Sequence, residues 1–276
     1  MLIRGFFHPY KLYHFFHLKF NTFEYYRIGY GLTMKITTIG WWGAYPGANE
    51  ATSGYLLESE GISVLIDCGS GVLARLQKYT RLQDIDAVVL SHYHSDHVAD
   101  IGCLQYASRI LMDLGRRKQP LKIYGHAEDN NFAGLTYLQY STGYAIDTRA
   151  KLQLGSLEFS FCRNIHPDPC FSMRIETNNI ALVYITDTGY TDDLVEFAHN
   201  ADLLLCESSL YDEYQGRIPG HMTAGETGRI ATAADVRHLV LTHLPHFGKH
   251  SLLVEQARKQ FKGPVELAAT GKCWQI

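Results

Sequence analysis

From Met34 onward, short apolar runs alternate with segments in which apolar residues recur every three or four positions. Runs of the first kind are typical of buried strands, and segments of the second kind are typical of amphipathic helices. Strands are predicted from Met34 in MKITTIG and in ISVLIDCGSG (62–71), IDAVVLSH (85–92), LEFSFCRNIH (157–166), IALVYITDTG (180–189), DLLLCE (202–207) and RHLVLTH (237–243). Helices are predicted in DIGCLQYASRILMDLG (100–115), DLVEFAHNA (193–201), TAGETGRIATAADV (223–236) and LLVEQARKQF (252–261).

This alternation predicts sheet covered by helices, so the expected fold class is α/β. No linker, repeat or low-complexity stretch interrupts residues 34–276, which we expect to form one domain. Residues 1–33 differ, because they hold eleven of the 34 aromatic residues and one acidic residue, Glu24. We expect them to be an extension upstream of a natural start at Met34. The alternative is an aromatic, basic segment that docks on a membrane surface or on a partner.

The composition is that of an ordinary globular protein, with 46% apolar residues, 19% charged residues and a net charge of −3. Dedicated nucleic-acid binders usually carry a basic face, so no DNA-binding module is expected. The six cysteines form no C-x-x-C pair, which favours free thiols in a reducing compartment and hence a cytoplasmic location. No uninterrupted run of about 18 apolar residues occurs, so no membrane span is predicted.

Polar side chains recur where the predicted strands end. Open α/β sheets build their sites at the carboxyl ends of strands, so residues distant in sequence can meet there. Of these side chains, His166, Asp187 and His243 can serve as metal ligands, and a carboxylate such as Asp187 can bridge two cations. The full set is Asp67, His92, His166, Asp187, Glu207 and His243.

The densest candidate site is HYHSDH, in which His92, His94, Asp96 and His97 follow a predicted buried strand. Imidazole and carboxylate groups suit zinc and other divalent first-row metals. Alternate residues can line one side of a tight turn, so we expect His92, His94 and Asp96 to face one way and His97 another. One short loop can thus serve two adjacent metals. The alternative is a surface histidine tract that binds metal only adventitiously.

The blocks SHYHSDH, NIHPDPCFSMRIE, VYITDTG and LVLTHLPHF stand in the order in which metallo-β-lactamase-fold hydrolases carry their ligands. The chain resembles that family over essentially all of residues 34–270. The resemblance implies an αββα four-layer sandwich with two divalent metal ions at one edge, Zn²⁺ being expected and Mn²⁺ the alternative. It assigns His92, His94 and His166 to the first metal, Asp96, His97 and His243 to the second, and Asp187 to a position between them.

Two further matches resemble the ribonuclease Z branch, namely Glu207 in LLLCESSLYDE and His221 in GHMTAGETGRIA. The resemblance implies a Glu207–His221 pair over the leaving group. A carboxylate beside a histidine raises the pKa of the imidazole and orients it, as a general acid requires. The alternatives are a surface carboxylate and a helix-start histidine. The tRNA-binding arm of that branch is absent, since only 21 positions separate His166 from Asp187, which argues against tRNA maturation.

The expected function is hydrolysis of small phosphodiesters or RNA ends, in which a hydroxide held between two metals attacks phosphorus. His221 would protonate the leaving group while Glu207 holds its ring, and Asp96 would orient the nucleophile. Two alternatives stay open: a carboxylic ester or lactone hydrolase of the same fold, and a non-catalytic metal-bound RNA-binding or regulatory module. The resemblance also implies a homodimer.

Overall fold

A computed structural model describes residues 33–276, so the predicted extension at residues 1–33 lies outside the described residues except for Thr33. The described chain forms two seven-stranded sheets. The first sheet consists of β1 (Met34–Gly40), β2 (Gly54–Ser59), β3 (Ile62–Ile66), β4 (Ala87–Val89), β5 (Leu121–His126), β6 (Ser141–Ile146) and a seventh strand from the end of the chain. The second consists of β7 (Leu152–Leu154), β8 (Leu157–Arg163), β9 (Phe171–Thr177), β10 (Ile180–Ile185), β11 (Leu203–Glu207), β12 (Leu239–Thr242) and β13 (Val265–Leu267).

The chain returns to the first sheet at its end, where β14 (Cys273–Gln275) pairs with β1. The spatial order is β14-β1-β2-β3-β4-β5-β6 in the first sheet and β13-β12-β11-β10-β9-β8-β7 in the second. Strands β3 to β6 run parallel to one another, as do β10 to β13. Parallel strands covered on both faces read as continuous apolar runs, which explains why β3, β4, β10, β11 and β12 were predicted from the sequence, whereas β5, β6 and β13 were not.

The helices lie on the outer faces of the sheets or in the loops at their edge. They are α1 (Val72–Leu76), α2 (Ser95–Val98), α3 (Ile101–Asp113), α4 (Asp192–Phe197), α5 (Ala224–Ala233) and α6 (His250–Gln260). Within residues 33–276, no helix is long and apolar enough to cross a bilayer.

Alternate residues of β11 face two different apolar cores. Leu203 and Leu205 lie in the core between the sheets, whereas Leu204 and Cys206 pack with side chains of α4, α5 and α6. A third core joins the outer face of the first sheet, including Val88, to α1 and α3. Because successive strand residues point to opposite faces, each sheet is buried on both sides. The layers are therefore helix, sheet, sheet, helix, and the predicted αββα sandwich is confirmed.

Strand β4 is shorter than the predicted run of residues 85–92, since it ends at Val89. The reason lies in the backbone of Ser91. Its N–H donates to the Asp67 carboxylate at 2.8 Å, and its carbonyl accepts from the N–H of Phe171 in the second sheet. These backbone groups are thus taken from the strand ladder and used to connect the two sheets beside the histidine loop.

The predicted convergence of polar residues at strand ends is confirmed. Asp67, His166, Asp187 and His243 follow the last residue of β3, β8, β10 and β12 by one to three positions, and β11 ends on Glu207 itself. The side chains of several of these residues come within bonding distance of one another, as described below. These strands of the two sheets therefore have their carboxyl ends at a common edge.

Close packing of α5 against α6 gives a test of this architecture. A Cβ atom at Gly228 would lie 2.5 Å from the carbonyl oxygen of Ala257, whereas a Cβ at Gly102 of α3 would meet no atom within 4 Å. We expect Gly228→Ala to lower the free energy of unfolding by about 1–3 kcal/mol, because the helices must move apart. The control Gly102→Ala should raise it by about 0.5–1 kcal/mol, since it only reduces backbone entropy. Urea denaturation followed by circular dichroism measures both, and equal effects would contradict the packing described.

Candidate metal centre

The structure brings the seven predicted metal ligands together in two groups that share one residue. In each group the possible ligand atoms lie within 4.8 Å of one another. Both groups contain Asp187. The first group is His92, His94, His166 and Asp187, and the second is Asp96, His97, Asp187 and His243.

The loop after β4 divides its four candidate ligands between the groups. His92 and His94 precede the short helix α2, and His94 has an extended backbone. Asp96 and His97 lie within that helix. Successive helical residues are rotated by only about 100°, so Asp96 and His97 can turn toward the same group. The expectation that alternate residues share one side is therefore wrong for Asp96, which groups with His97. Helix α2 was not predicted, and it decides this division.

Asp187 lies between the two groups, with one carboxylate oxygen directed at each. Its Oδ2 is 3.8 Å from Nε2 of His92. Its Oδ1 is 3.3 Å from Nε2 of His97 and 3.3 Å from Nε2 of His243. The residue is almost completely buried. This is the arrangement expected of a carboxylate that contributes to two cation sites.

Each candidate histidine has one ring nitrogen engaged by a neighbouring acceptor or hydroxyl. Such partners orient a ligand ring and select its tautomer. The pairs are His92 Nδ1 with Ser91 Oγ (3.1 Å), His94 Nε2 with Asp168 Oδ2 (2.6 Å), His97 Nδ1 with Asp67 Oδ2 (2.8 Å), His166 Nδ1 with the Asp168 carbonyl (3.0 Å) and His243 Nδ1 with Ser209 Oγ (2.8 Å).

The opposite nitrogens of two of these rings make no hydrogen bond within the described chain. Nε2 of His92 and Nε2 of His97 are both fully buried and have no hydrogen-bond partner. A buried polar atom left unpaired costs about 1–3 kcal/mol, and such atoms in a native structure commonly mark a bound ion or water. The nitrogens belong one to each ligand group. The donor set and its unsatisfied atoms therefore fit two divalent cations.

Asp67 orients His97 of the second group by contacting its Nδ1. It is fully buried and adopts a left-handed backbone conformation with φ of 54°. Besides His97, its carboxylate accepts from Ser91 Oγ at 3.0 Å and from the hydroxyl of Tyr184 in the second sheet at 3.0 Å. Asp67 thus supports a candidate ligand histidine from a strand end that the sequence singled out.

Among the protein groups alone, neighbouring carboxylates favour the protonated imidazole for the two histidines of the second group. Burial by itself lowers the pKa of His97, but Asp187 and Asp67 raise it well above the ordinary value. Burial also lowers the pKa of His243, and the Asp187 and Asp96 carboxylates outweigh that effect and raise it. A ligand imidazole must be neutral, so metal binding at this site displaces protons.

Glu207 and His221 form a third group beside the second, together with His243. Nδ1 of His221 is 3.3 Å from Oε1 of Glu207, an ion-pair contact without the alignment of a hydrogen bond. Burial lowers the pKa of His221, but Glu207 outweighs it and raises the pKa to about 9. The His221 ring lies 6.0 Å from that of His166 and 5.7 Å from that of His243, between one candidate ligand of each group.

The Glu207 carboxylate is buried and held in place by four donors. Oε1 accepts from the backbone N–H groups of Thr188 and Met222, each at 3.1 Å. Oε2 accepts from the N–H of Ser209 at 3.0 Å and from its hydroxyl at 2.6 Å. This satisfies a carboxylate that would otherwise be costly to bury. The alternative of a surface carboxylate for Glu207 is therefore wrong.

Two residues of the site were missed from the sequence. Asp168 touches both His94 and His166, and Ser209 connects Glu207 to His243. The available signal was their position, since each stands two residues after a predicted site residue. Neither lies at a strand end, and short polar residues are common in loops, so the pattern alone did not single them out.

The two supporting carboxylates give a prediction with a built-in comparison. Asp67→Asn should weaken the second metal about 10–100-fold, because the amide cannot hold the His97 imidazole as the carboxylate does. Asp168→Asn should weaken the first metal instead, through His94. Chelator competition combined with metal analysis of each protein measures both affinities. Wild-type affinity at both sites in either variant would contradict the role assigned to that carboxylate.

Comparisons with known proteins agree with this geometry. Residues 63–244 match the family described as the Beta-lactamase superfamily domain. The chain is 45% identical over 243 residues to "Probable metallo-hydrolase YhfI" of Bacillus subtilis, covering 88% of this chain and 100% of that protein. The crystal structure of the metallo-beta-lactamase fold protein YhfI from that organism matches with a TM-score of 0.87 at 44% identity, covering 88% and 100% of the two chains.

More distant relatives include proteins named Ribonuclease Z. Ribonuclease Z of Methanosarcina acetivorans is 27% identical over 271 residues, covering 76% of this chain and 87% of that protein. The family match spans more than half of the chain and includes both ligand groups. On these grounds the chain belongs to the metallo-β-lactamase superfamily of metal-dependent hydrolases.

Proposed function

We propose that the protein is a binuclear metal-dependent phosphodiesterase that acts on small phosphodiesters or RNA ends. The observation that carries this proposal is the Glu207–His221 pair, which lies beside both metal-ligand groups and is not needed to bind either metal. In a carboxylic ester hydrolase of this fold, the Glu207–His221 pair would have no assigned role. A phosphodiester with an alkoxide leaving group needs such a proton donor.

The residues have distinct tasks in the proposed reaction. When bound, two divalent cations would supply an acidified water and neutralise charge on the phosphoryl oxygens. A water oxygen forms a bond to phosphorus while the bond from phosphorus to the leaving oxygen breaks. His221 gives its proton to the departing oxygen. Glu207 keeps the imidazole oriented and protonated at neutral pH, consistent with its raised pKa.

Asp96 is positioned both by the loop after β1 and by the second ligand group. Its Oδ2 accepts from the N–H of Ala44 at 2.8 Å and lies 3.0 Å from Nε2 of His243. This leaves Oδ1 without a hydrogen bond within the described chain, free to accept one from the attacking water. Asp96 would thus combine metal binding with orientation of the nucleophile.

Small substrates are favoured over tRNA by the chain between the two groups. Only β9 and β10 with their short connections lie between His166 and Asp187, so no arm extends from this position. The net charge of −3 also offers no broad electrostatic attraction for a long polyanion. Zinc is the metal we propose, since imidazole and carboxylate ligands suit it, with manganese as the alternative.

Other predictions remain as they were stated from the sequence. A homodimer and a cytoplasmic location are part of the proposal. The lactone hydrolase and the non-catalytic module are its rivals. The first predicts turnover of carboxylic esters that does not depend on His221, and the second predicts no turnover of either ester class.

Leaving-group dependence gives a sharp test of the His221 role. We expect the zinc-loaded protein to cleave bis(p-nitrophenyl) phosphate and the dinucleoside phosphate thymidylyl-thymidine. His221→Ala should lower kcat on the dinucleoside about 10²–10⁴-fold, because its alkoxide must be protonated. The same variant should lose less on bis(p-nitrophenyl) phosphate, since p-nitrophenolate departs with little assistance. Glu207→Gln should also lose more activity on the dinucleoside than on bis(p-nitrophenyl) phosphate, with smaller losses than His221→Ala.

The exposed His199 offers a matched control, because it lies outside the three ligand and acid groups. His199→Ala should keep wild-type rates on both substrates, and the metal content of every variant is measured alongside. Equal losses on the two substrates in His221→Ala would contradict a general-acid role. No hydrolysis of either phosphodiester by wild-type protein with two metals bound would contradict the phosphodiesterase proposal itself.

A further inference from the structure

Four aromatic rings form a continuous stack, three from the loop after β1 and one from the loop after β12. Trp41 stacks on Trp42 with ring centroids 4.1 Å apart, and Trp42 stacks on His246 at 4.3 Å. His246 in turn stacks on Tyr45 at 3.7 Å, with only 3° between the ring planes. Tyr45 is the outer end of this stack and is 58% exposed. Within residues 33–276, its ring stacks on His246 alone, which leaves its other face open.

The stack is held by the loop itself and is therefore rigid before any ligand binds. Nε2–H of His246 donates to the carbonyl of Gly43 at 3.2 Å and to that of Tyr45 at 2.6 Å. These bonds enclose Ala44, which adopts a left-handed conformation with φ of 62°. An aromatic ring immobilised in this way loses little entropy when a ligand stacks on it.

The same loop is attached directly to the second metal-ligand group. The N–H of Ala44 donates to Oδ2 of Asp96 at 2.8 Å. A Cβ atom at Gly43 would lie 2.8 Å from Nδ1 of His243, so only glycine allows this approach. Tyr45 follows immediately, so its backbone lies one residue away from this contact with the second group.

We propose that the open face of Tyr45 binds a nucleobase of the phosphodiester substrate, on the part that stays attached to phosphorus after cleavage. This inference rests on the proposed phosphodiesterase function. A nucleobase presents a flat π-face, and stacking on an aromatic side chain suits any base. The leaving group is served by Glu207 and His221, whereas the N–H of Ala44 in the Tyr45 loop donates to Asp96, the residue proposed to orient the attacking water. The group on Tyr45 is accordingly the one that does not depart.

Two substrates with the same leaving group isolate this contact. Thymidine 5′-(p-nitrophenyl phosphate) and methyl p-nitrophenyl phosphate both release p-nitrophenolate, and only the first carries a base on the retained side. Base stacking adds about tenfold or more to binding when judged by alanine substitution. We expect wild-type protein to favour the thymidine substrate by about that factor in kcat/KM, chiefly through KM.

Tyr45→Ala should remove this preference and leave the methyl substrate within about twofold of wild type, whereas Tyr45→Phe should keep the preference because it retains the ring. An unchanged thymidine-to-methyl ratio in Tyr45→Ala would overturn the proposal. An equal loss on both substrates would overturn it as well, because the ring would then be stacking on the leaving group. Thermal unfolding of each variant confirms that the exposed substitution leaves the fold intact.

Binding of reaction products tests the stacking without relying on turnover. Calorimetry on zinc-loaded protein should show thymidine 5′-monophosphate binding about tenfold more tightly than methyl phosphate, with the difference lost in Tyr45→Ala. Equal affinities in wild type would overturn the nucleobase subsite even if both phosphodiesters are cleaved. Absence of cleavage of both substrates, with the binding difference present, would instead contradict the proposed function and support the subsite.

Discussion

The buried carboxylate of Asp67 is the interaction on which the site depends. It accepts hydrogen bonds from the backbone and hydroxyl of Ser91, from His97 and from Tyr184, and so joins the ends of β3 and β4 in the first sheet to β10 in the second. A buried carboxylate is tolerated only when it is fully paired. The positions of β3, β4, α2 and β10 are therefore constrained relative to one another before any metal arrives. Satisfying this one group aligns the ring that faces the second cation site.

Glu207 uses the same device for a different purpose. Four donors from three loops hold it, and its Oε1 lies 3.3 Å from Nδ1 of His221. One buried carboxylate thus orients a candidate metal ligand and another orients a candidate acid. Networks of this kind are rigid when every member is satisfied, which is what a site that must hold atoms within tenths of an ångström requires. Ser209 connects the Glu207 network to His243, so the acid and the metal group are mechanically linked.

Much of the site was visible in the sequence because its residues stand at the ends of apolar, parallel strands. Such strands are buried on both faces, and their carboxyl ends meet at one edge. This explains why Asp187 and His243 could be linked to the histidine cluster across long separations. His166 instead follows β8, which pairs antiparallel with both of its neighbours. Elements without a continuous apolar run, such as β2, β9 and the short helix α2, were not predicted. Asp168 and Ser209 were missed for a related reason, since nothing local distinguishes a supporting loop residue from an ordinary one.

The sequence by itself determined the α/β layering, the ligand types and the family, because these follow from apolar periodicity and from a compact motif. The family resemblance already implied how the HYHSDH loop divides, and the tertiary structure supplied the physical reason, since the turn of α2 brings Asp96 beside His97. Tertiary structure alone decided which nitrogen of each histidine stays free, because that depends on partners distant in sequence, such as Asp67 for His97. The stack from Trp41 to Tyr45 likewise required His246 from about 200 residues away. Spacing along the chain can propose chemistry, but only packing brings remote side chains into contact.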